Sequence, residues 1–418
     1  MAKLIIRGGK KLRGVWPLSG NKNEALPLIA ASLLFRRGLT LTNFPEIDDT
    51  KVMLAIAATL GVRVKKGKGS YQLLPGGKAV KDIPGELAGR VRSSLLFLAP
   101  LLALHGRARI PTTGGDKIGA RKIDTHLEVF RAFGAKLRAG ELVLPKKPSN
   151  RPVRLWLSEP SVTATENALV FAATRPHLTT IKNAASEPHV VGLGNALLAA
   201  GARIKGLGTN YLEITGTPEF RAVRHTIGED YMEAGSVLVL SAIFGGNIAV
   251  RLQATDDYEK ILAAFGKFGK KVRVKNGLTS IVTGGRVGDG SIQELSDDPW
   301  PSFPSDLMSV FVVLATQSRG QFLFHEKMFE SRFYFTDQLR MLGAKLVLCD
   351  PHRVLVAGPT GLHGAQLVSP DIRAGMALII AALAAQGTSV IQNIEQLDRG
   401  YENLMTKLET IGADVKRE

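Results

Sequence analysis

The sequence predicts an α/β protein built from six similar units of about 70 residues each. A first marker is a glycine that follows an amphipathic run and precedes alternating apolar residues, a pattern typical of a helix C-terminus followed by a strand. This glycine recurs at Gly61, Gly134, Gly201, Gly269, Gly343 and Gly412. A second marker with the same spacing is a strongly apolar helix that begins near Asn23, Arg92, Thr163, Glu233, Asp306 and Arg373. Two independent markers with one period predict that each unit carries its own small αβ fold.

The apolar helices are expected to be buried, because residues such as 25–31 and 376–382 are apolar on nearly every side. Each of these helices nevertheless begins with polar or charged residues. Six such helices suggest two assemblies with the helices inside, whose helix starts converge on one cleft. Helix N-termini attract anions through free N–H groups and partial positive charge. Capping explains serine and threonine at these positions but not arginine, so Arg92 and Arg373 are expected to have an anionic partner.

The chain length of 418 residues suits two or three domains. The single cysteine, Cys349, excludes an internal disulfide framework and favours a reducing compartment. The N-terminal residues do not resemble a signal peptide, and the most apolar stretches, 93–104 and 374–386, are too short to span a bilayer. We therefore expect a cytoplasmic protein without a membrane partner.

The formal net charge of +17 suits either a solvated basic surface or the binding of polyanionic small substrates. Lysines and arginines are dispersed along the chain, as in residues 63–68, 146–154 and 267–275, and aromatic residues make up only 6%. Nucleic acid is not expected as a partner, because no aromatic residues are interleaved with these charges to stack on bases.

Four motifs carry a resemblance to a known family: residues 18–27 (LSGNKNEALP), 114–126 (GGDKIGARKIDTH), 161–167 (SVTATEN) and 303–306 (FPSD). With them, the chain resembles from end to end the enolpyruvyl transferase family, in particular the UDP-N-acetylglucosamine 1-carboxyvinyltransferases. The resemblance implies two inside-out α/β barrels of three repeats each, with the active site in the interdomain cleft. Residues 22–229 would form the first barrel, with a catalytic lid loop near 112–121. Residues 1–21 and 230–418 would form the second.

The resemblance implies transfer of the enolpyruvyl group of phosphoenolpyruvate to the 3-hydroxyl of UDP-N-acetylglucosamine, with release of phosphate. This is the first committed step of peptidoglycan synthesis, on which cell wall biogenesis, cell shape and cell division depend. No cofactor and no metal are expected. The implied catalytic residues are Asp116, which delivers a proton to the methylene carbon, Asp306, which accepts the hydroxyl proton, and Lys22, which holds phosphoenolpyruvate.

The family's substrate-binding residues are carried over by position. Lys22, Arg121 and Arg399 would bind phosphoenolpyruvate, and we expect Lys22 and Arg399 to have little packing role. The full implied set comprises Lys22, Asn23, Arg92, Arg121, Lys122, Ile123, Asp124, Thr125, Ser161, Val162, Thr163, Asp306, Met328, Arg332, Arg373 and Arg399.

This sequence departs from the usual family pattern at several positions. Asp116 stands where the family usually has cysteine, so its pKa must be raised by burial for it to act as an acid, and insensitivity to the thiol-directed epoxide fosfomycin is expected. Glu159 stands where relatives often have lysine, and Tyr231 where they often have arginine. His189 stands where many relatives have an acid.

Three alternatives remain open from the sequence. One is a 3-phosphoshikimate 1-carboxyvinyltransferase of the same fold. The second is a non-catalytic or regulatory paralogue that binds the sugar nucleotide. The third is a nucleic-acid binder or an enzyme of RNA-terminal phosphates that shares part of the fold.

Overall fold

The structure is a computed structural model that describes residues 2–76, 82–115, 122–146, 151–253, 255–284 and 291–418. Its residues form two compact units. The middle unit holds residues 20–115 and 122–228, and the terminal unit holds residues 2–19 together with the part after residue 228. Within the described ranges, no helix is both long enough and apolar enough to cross a membrane.

Strands are numbered along the chain. The first twelve are β1 (Lys3–Arg7), β2 (Gly14–Trp16), β3 (Leu39–Thr42), β4 (Val62–Gly67), β5 (Ser70–Pro75), β6 (Arg107–Arg109), β7 (Lys136–Arg138), β8 (Glu141–Val143), β9 (Val153–Trp156), β10 (Thr179–Lys182), β11 (Arg203–Lys205) and β12 (Tyr211–Thr215). The others are β13 (Val223–Thr226), β14 (Ile248–Val250), β15 (Lys270–Lys275), β16 (Leu278–Thr283), β17 (Gln293–Ser296), β18 (Gly320–His325), β19 (Lys345–Asp350), β20 (Arg353–Gly358), β21 (Gln366–Val368), β22 (Thr388–Gln392) and β23 (Asp414–Arg417).

Helices are numbered in the same way. Those of the middle unit are α1 (Lys22–Ala31), α2 (Asp48–Thr59), α3 (Gly85–Ala88), α4 (Leu98–His105), α5 (Asp124–Ala132), α6 (Val162–Ala172) and α7 (Pro188–Ala199). Those of the terminal unit are α8 (Tyr231–Ile243), α9 (Glu259–Ala264), α10 (Met308–Thr316), α11 (Thr336–Met341), α12 (Ile372–Ala384) and α13 (Leu404–Thr410).

The predicted α/β repeat is confirmed. One repeat runs strand, buried helix, strand, outer helix and two antiparallel strands, as in β9–α6–β10–α7–β11–β12. Its sheet has the order β11-β12-β10-β9, with only β9 and β10 parallel, and β17–β20 form a sheet of the same design. All six repeat glycines have positive φ, between +66° and +112°, because a left-handed residue ends the helix before the next strand.

The buried helices lie inside each unit and the sheets outside. Every residue of α10 is buried, and in α8 and α12 only the last residue is more exposed. These three helices pack on one another in the terminal unit, and α1, α4 and α6 do so in the middle unit. Helices that are apolar all round can be accommodated only in such a position, because no face of them tolerates water.

Three sheets are completed by strands from distant parts of the sequence. In the middle unit, β13 pairs in parallel with β3, so that Val223 lies opposite Leu39. In the terminal unit, β2 pairs in parallel with β14, and β1 lies between β22 and β23. The first and last segments of each unit are therefore tied together by backbone hydrogen bonds.

Candidate active site

Lys22 opens α1 and lies in a largely buried ion pair. The N-cap side chain of Asn21 accepts hydrogen bonds from the backbone N–H groups of Asn23 and Glu24, which fixes the start of the helix. The Nζ of Lys22 is 2.7 Å from Oδ2 of Asp49, and these side chains are only 12% and 7% exposed. The expectation that Lys22 has little packing role is therefore wrong, since its charge compensates a buried carboxylate. Sequence analysis had not singled out Asp49, which lies in the first turn of α2.

The predicted nucleotide segment, residues 122–125, forms the start of α5. A guanidinium N–H of Arg92 donates to the backbone carbonyl of Lys122 at 2.9 Å. Ile123 is the N-cap residue of α5, and Asp124 is its first residue. The hydroxyl of Thr125, the second residue of α5, donates to Oε1 of Glu159 at 2.8 Å. Glu159 therefore has a hydrogen-bond partner at the start of α5.

The start of α6 contains the next predicted group, Ser161, Val162 and Thr163. Ser161 is the N-cap residue, with extended backbone and no capping bond from its side chain. The Thr163 hydroxyl lies 3.0 Å from Nε2 of His126. Burial, together with the charge of Arg92, lowers the pKa of His126 to about 4, so this imidazole is neutral near pH 7.

Two buried carboxyl groups lie close to this helix in the middle unit. Burial raises the pKa of Glu166 well above its usual range, and the charge of Glu187 raises it further. Burial also raises the pKa of Glu187 to about 7. Sequence analysis assigned neither residue a function, because no local pattern indicates that a glutamate on an apolar helix will be enclosed.

Asp306 is the centre of the charged cluster in the terminal unit. Arg332 donates to its Oδ1 and Arg373 to its Oδ2, each at 2.9 Å. Both arginines are buried, whereas the side chain of Asp306 is 33% exposed. In this structure the anionic partner expected for Arg373 is thus Asp306 itself. The result is a partly accessible carboxylate that two charge-assisted hydrogen bonds hold in one orientation.

A buried glutamate lies directly behind Asp306. The hydroxyl of Ser305 lies 2.8 and 2.9 Å from the two carboxyl oxygens of Glu326, and the backbone N–H of Phe329 donates to the same group at 3.1 Å. Burial, together with the hydrogen bond that a protonated Glu326 donates to the neighbouring carboxylate of Asp297, raises the pKa of Glu326 to about 9. A protonated Glu326 therefore fixes the turn that carries Asp306. The sequence does not predict this role of Glu326, because Glu326 is a single polar residue after a strand with alternating burial.

The remaining sequence-predicted positions are less closely bound to these clusters. Met328 is 43% exposed, and Arg399 donates to Oε1 of Gln396 at 3.2 Å. Asp116 and Arg121 lie outside the described residues, as does most of the predicted lid. Tyr231, one of the departures from the family pattern, is buried as the first residue of α8 and packs on Trp300.

No group of three or more histidine, cysteine, aspartate or glutamate side chains that could hold a metal ion occurs among the described residues. The charged side chains described above are instead three arginines, Lys22 and the carboxylates of Asp49 and Asp306. The arginines are Arg92, Arg332 and Arg373. Together these side chains suit the binding of anions and the transfer of protons.

Comparison with known proteins agrees with this chemistry. The family model for EPSP synthase (3-phosphoshikimate 1-carboxyvinyltransferase) matches residues 6–408. The chain is 42% identical to the UDP-N-acetylglucosamine 1-carboxyvinyltransferase of Treponema denticola, over 100% of this chain and 99% of the relative. It is also 42% identical to the protein of that name from Bradyrhizobium diazoefficiens, over 99% of this chain and 97% of the relative.

Solved structures show the same fold at lower identity. The enolpyruvyl transferase NikO from Streptomyces tendae has a TM-score of 0.86 at 23% identity, over 100% of this chain and 98% of its own. EPSP synthase from Acinetobacter baumannii has a TM-score of 0.74 at 16% identity, over 100% of both chains. The chain therefore belongs to the EPSP synthase family and, within it, to the UDP-N-acetylglucosamine 1-carboxyvinyltransferases.

Proposed function

We propose that this protein transfers the enolpyruvyl group of phosphoenolpyruvate to the 3-hydroxyl of UDP-N-acetylglucosamine and releases phosphate. The observation that carries this proposal is the likeness, over the full length of the chain, to relatives named for that activity. The charged helix starts of both units support it, because both substrates are anionic and the reaction moves protons.

The middle unit contributes anion-binding groups. Lys22 and Arg92 supply positive charge, and the starts of α5 and α6 supply backbone N–H groups. In this proposal Lys22 binds phosphoenolpyruvate and the starts of α5 and α6 bind the nucleotide. Asp49 holds the side chain of Lys22 in place, so Asp49 supports binding through the lysine.

The reaction has two steps, addition and elimination. The sugar oxygen bonds to the central carbon of phosphoenolpyruvate while its proton passes to Asp306 and the methylene carbon gains a proton from Asp116. The bond from the central carbon to the phosphate oxygen then breaks, and the methyl group returns a proton to the carboxylate that Asp116 became in the first step, which restores the double bond. Asp306 accepts bonds from Arg332 and Arg373, which hold its carboxylate in one orientation for taking the proton as the new bond forms.

The test is release of phosphate from phosphoenolpyruvate by the purified full-length chain. We expect release with UDP-N-acetylglucosamine and none with shikimate 3-phosphate. Phosphate release with shikimate 3-phosphate and not with UDP-N-acetylglucosamine would identify the protein as a 3-phosphoshikimate 1-carboxyvinyltransferase. Binding of the sugar nucleotide without any release would identify a non-catalytic paralogue.

The assignment of Asp116 as the acid has its own test, with fosfomycin as the probe. A carboxylate is a much poorer nucleophile than a thiolate, so we expect the wild-type enzyme to retain activity after incubation with this epoxide. Asp116→Cys should become sensitive while keeping some turnover, and Asp116→Asn should lose turnover. Covalent labelling of the wild type, or normal turnover by the asparagine variant, would contradict the assignment.

The cellular role follows from the reaction. We propose that the protein acts in the cytoplasm in peptidoglycan synthesis, and thus in cell shape and division. Depletion of the protein should therefore lead to accumulation of UDP-N-acetylglucosamine and weakening of the cell wall. Normal growth and walls after depletion would contradict this role.

A further inference from the structure

A chain of hydrogen bonds leads from the interior of the middle unit to the start of α6. Its first member is Asn167, which is 1% exposed. The backbone N–H of Ala99 donates to Oδ1 of Asn167 at 3.2 Å, and Nδ2 of Asn167 donates to the carbonyl of Leu95 at 3.1 Å. Turning the amide over would place donor against donor and acceptor against acceptor. The orientation of this amide is therefore determined by the backbone.

The amide in turn determines the tautomer of His126. The second N–H of Asn167 Nδ2 points at Nδ1 of His126, 3.0 Å away. Nδ1 must accept this bond, so it carries no proton. Because burial keeps the imidazole neutral, with its pKa lowered to about 4, its one proton is on Nε2.

The tautomer determines the role of Thr163. The Nε2 of His126 is 3.0 Å from the hydroxyl oxygen of Thr163 and, being protonated, donates to it. The hydroxyl hydrogen of Thr163 is then left for another acceptor. Within the part of the chain that the structure describes, the Thr163 side chain makes no other hydrogen bond, and the residue is partly exposed at the second position of α6.

We propose that Asn167 and His126 are positioning residues that make Thr163 a hydrogen-bond donor toward the ligand at the start of α6. The ligand atom at this position must be an acceptor, and a phosphate oxygen of the nucleotide diphosphate has the chemistry that fits. The neighbouring groups agree, since Arg92 and the N-terminus of α6 both favour negative charge, while Glu159 is engaged by Thr125. This inference rests on the proposed function in that it takes a nucleotide diphosphate as the ligand.

The first experiment reads the tautomer directly. Ring ¹H–¹⁵N correlation spectra of the ¹⁵N-histidine-labelled full-length protein should show His126 at pH 7 with its proton on Nε2 and with Nδ1 unprotonated. Assignment uses His126→Gln, which removes the signal. A proton on Nδ1, or a doubly protonated ring at pH 7, would overturn the inference whatever the binding data show.

The second experiment measures binding of UDP and of uridine by calorimetry. Thr163→Val should weaken UDP binding by roughly tenfold, as expected for the loss of one hydrogen bond to a charged oxygen, and should leave uridine binding unchanged. Thr163→Ser should restore UDP affinity to within about twofold. Thr174→Val is the matched control, since among the described residues the Thr174 hydroxyl bonds only the carbonyl of Phe171 near the end of α6. Equal UDP affinity of Thr163→Val and wild type, or no UDP binding by wild type, would overturn the inference.

A double variant separates positioning from simple structural support. His126→Phe should weaken UDP binding by roughly threefold, because Thr163 is then free to rotate. His126→Phe combined with Thr163→Val should bind UDP no more weakly than Thr163→Val alone, since His126 acts through Thr163. Additive losses would contradict the proposal. Turnover is not needed for any of these measurements, so failure of the proposed reaction and failure of this inference are distinguished.

Discussion

Helices α1 and α8 begin the two units with the same local structure. In α1 the N-cap is Asn21, and in α8 it is Asp230; each side chain accepts from the backbone N–H groups of the second and third helical residues. The third residue is a buried glutamate in both helices, Glu24 and Glu233. The two units therefore use one solution for the first turn of a buried helix, in which the caps satisfy the free N–H groups.

Both glutamates also bind the segment that enters from the other end of the unit's sequence. The backbone N–H of Gly228 donates to Glu24 at 3.0 Å, and that of Ser19 donates to Glu233 at 2.8 Å. In each unit the glutamate thus joins the first buried helix to the strand that completes its sheet.

The two units differ in what compensates the buried charge. Glu24 is 2.6 Å from Nε2 of His225, which lies on β13 itself. Glu233 is 2.6 Å from Nζ of Lys407 in α13 and accepts a further bond from the indole of Trp16 at 2.9 Å. The lysine brings α13 to the junction as a third element, beside α8 and β2. We infer that this junction of the terminal unit depends more strongly on a single side chain than the junction of the middle unit does.

The largest expected effect is that of Lys407→Met. It removes the ammonium group from Glu233 and leaves the buried carboxylate with the N–H donors of Trp16 and Ser19 but without this positive charge, which should lower the free energy of unfolding by about 3–5 kcal/mol. The control is Lys416→Met, whose lysine forms an exposed pair with Glu418 and should change stability by about 1 kcal/mol or less. Denaturant midpoints measure both. Equal losses of stability in the two variants would show that the buried pair of Lys407 and Glu233 stabilises the protein no more than the exposed pair does.

The next prediction compares a substrate-binding residue from each unit. Lys22→Ala and Arg399→Ala should each lower turnover by roughly a hundredfold or more, since each removes a charge that the proposal places on phosphoenolpyruvate. Only Lys22→Ala should also lower the melting temperature substantially, because it leaves Asp49 buried without its lysine. Steady-state phosphate release and thermal unfolding measure the two effects.

A double variant sharpens this prediction. Lys22→Met combined with Asp49→Asn should recover stability but not turnover, because the buried charge is removed along with its partner. Recovery of turnover would mean that Lys22 acts only to balance Asp49, and its role toward substrate would be rejected.

A smaller effect is expected from the junction of the middle unit. His225→Ala should cost about 1–2 kcal/mol, less than Lys407→Met, because the imidazole of His225 bonds Glu24, whereas the ammonium of Lys407 bonds both Glu233 and the hydroxyl of Ser19. His225→Gln, which keeps a donor, is the matched control and should cost less than the alanine variant. If His225→Ala destabilised the protein as much as Lys407→Met, the difference between the two junctions would disappear.

The last prediction concerns the slope of stability against pH, and not the loss of stability in one variant. The folded-state pKa values of Glu326 and Glu187 are raised to about 9 and about 7, so each group holds a proton more tightly in the folded protein than in the unfolded chain. Stability from this source is fully present below the ordinary glutamate pKa of about 4.5 and is lost as pH rises through the folded value. Melting temperature should therefore decline over a wider pH range because of Glu326 than because of Glu187.

Variants at these two glutamates test the difference between the two pH ranges. Glu326→Gln should flatten the decline between about pH 5 and 9, and Glu187→Gln only that between about pH 5 and 7. Glu330→Gln, at an exposed position of the same unit, serves as the control. An unchanged slope in Glu326→Gln would mean that this carboxyl is not protonated in the folded protein.

Several features of this protein followed from the sequence because their signals are local. The glycine after each outer helix needs positive φ, and the buried helices are apolar on every face, so both series were visible as a repeat. The polar residues at the helix starts left capping open as an explanation, and the structure shows that Asn21 caps α1 and Asp230 caps α8. The candidate residues themselves came from motifs in which neighbours along the chain identify the family.

The tertiary structure alone decided the partners of these residues. Asp306 lies close to Arg373 across 67 positions of sequence, and Thr163 to His126 across 37. The same holds for the pairing of β13 with β3 and for the buried pair of Lys22 with Asp49. Hydrogen bonds and ion pairs between distant segments leave no periodic trace in a single sequence, because any polar residue at the right place in space can make them. Whether an arginine or a carboxyl group serves a ligand or another side chain depends on burial and distance, which only the folded chain defines.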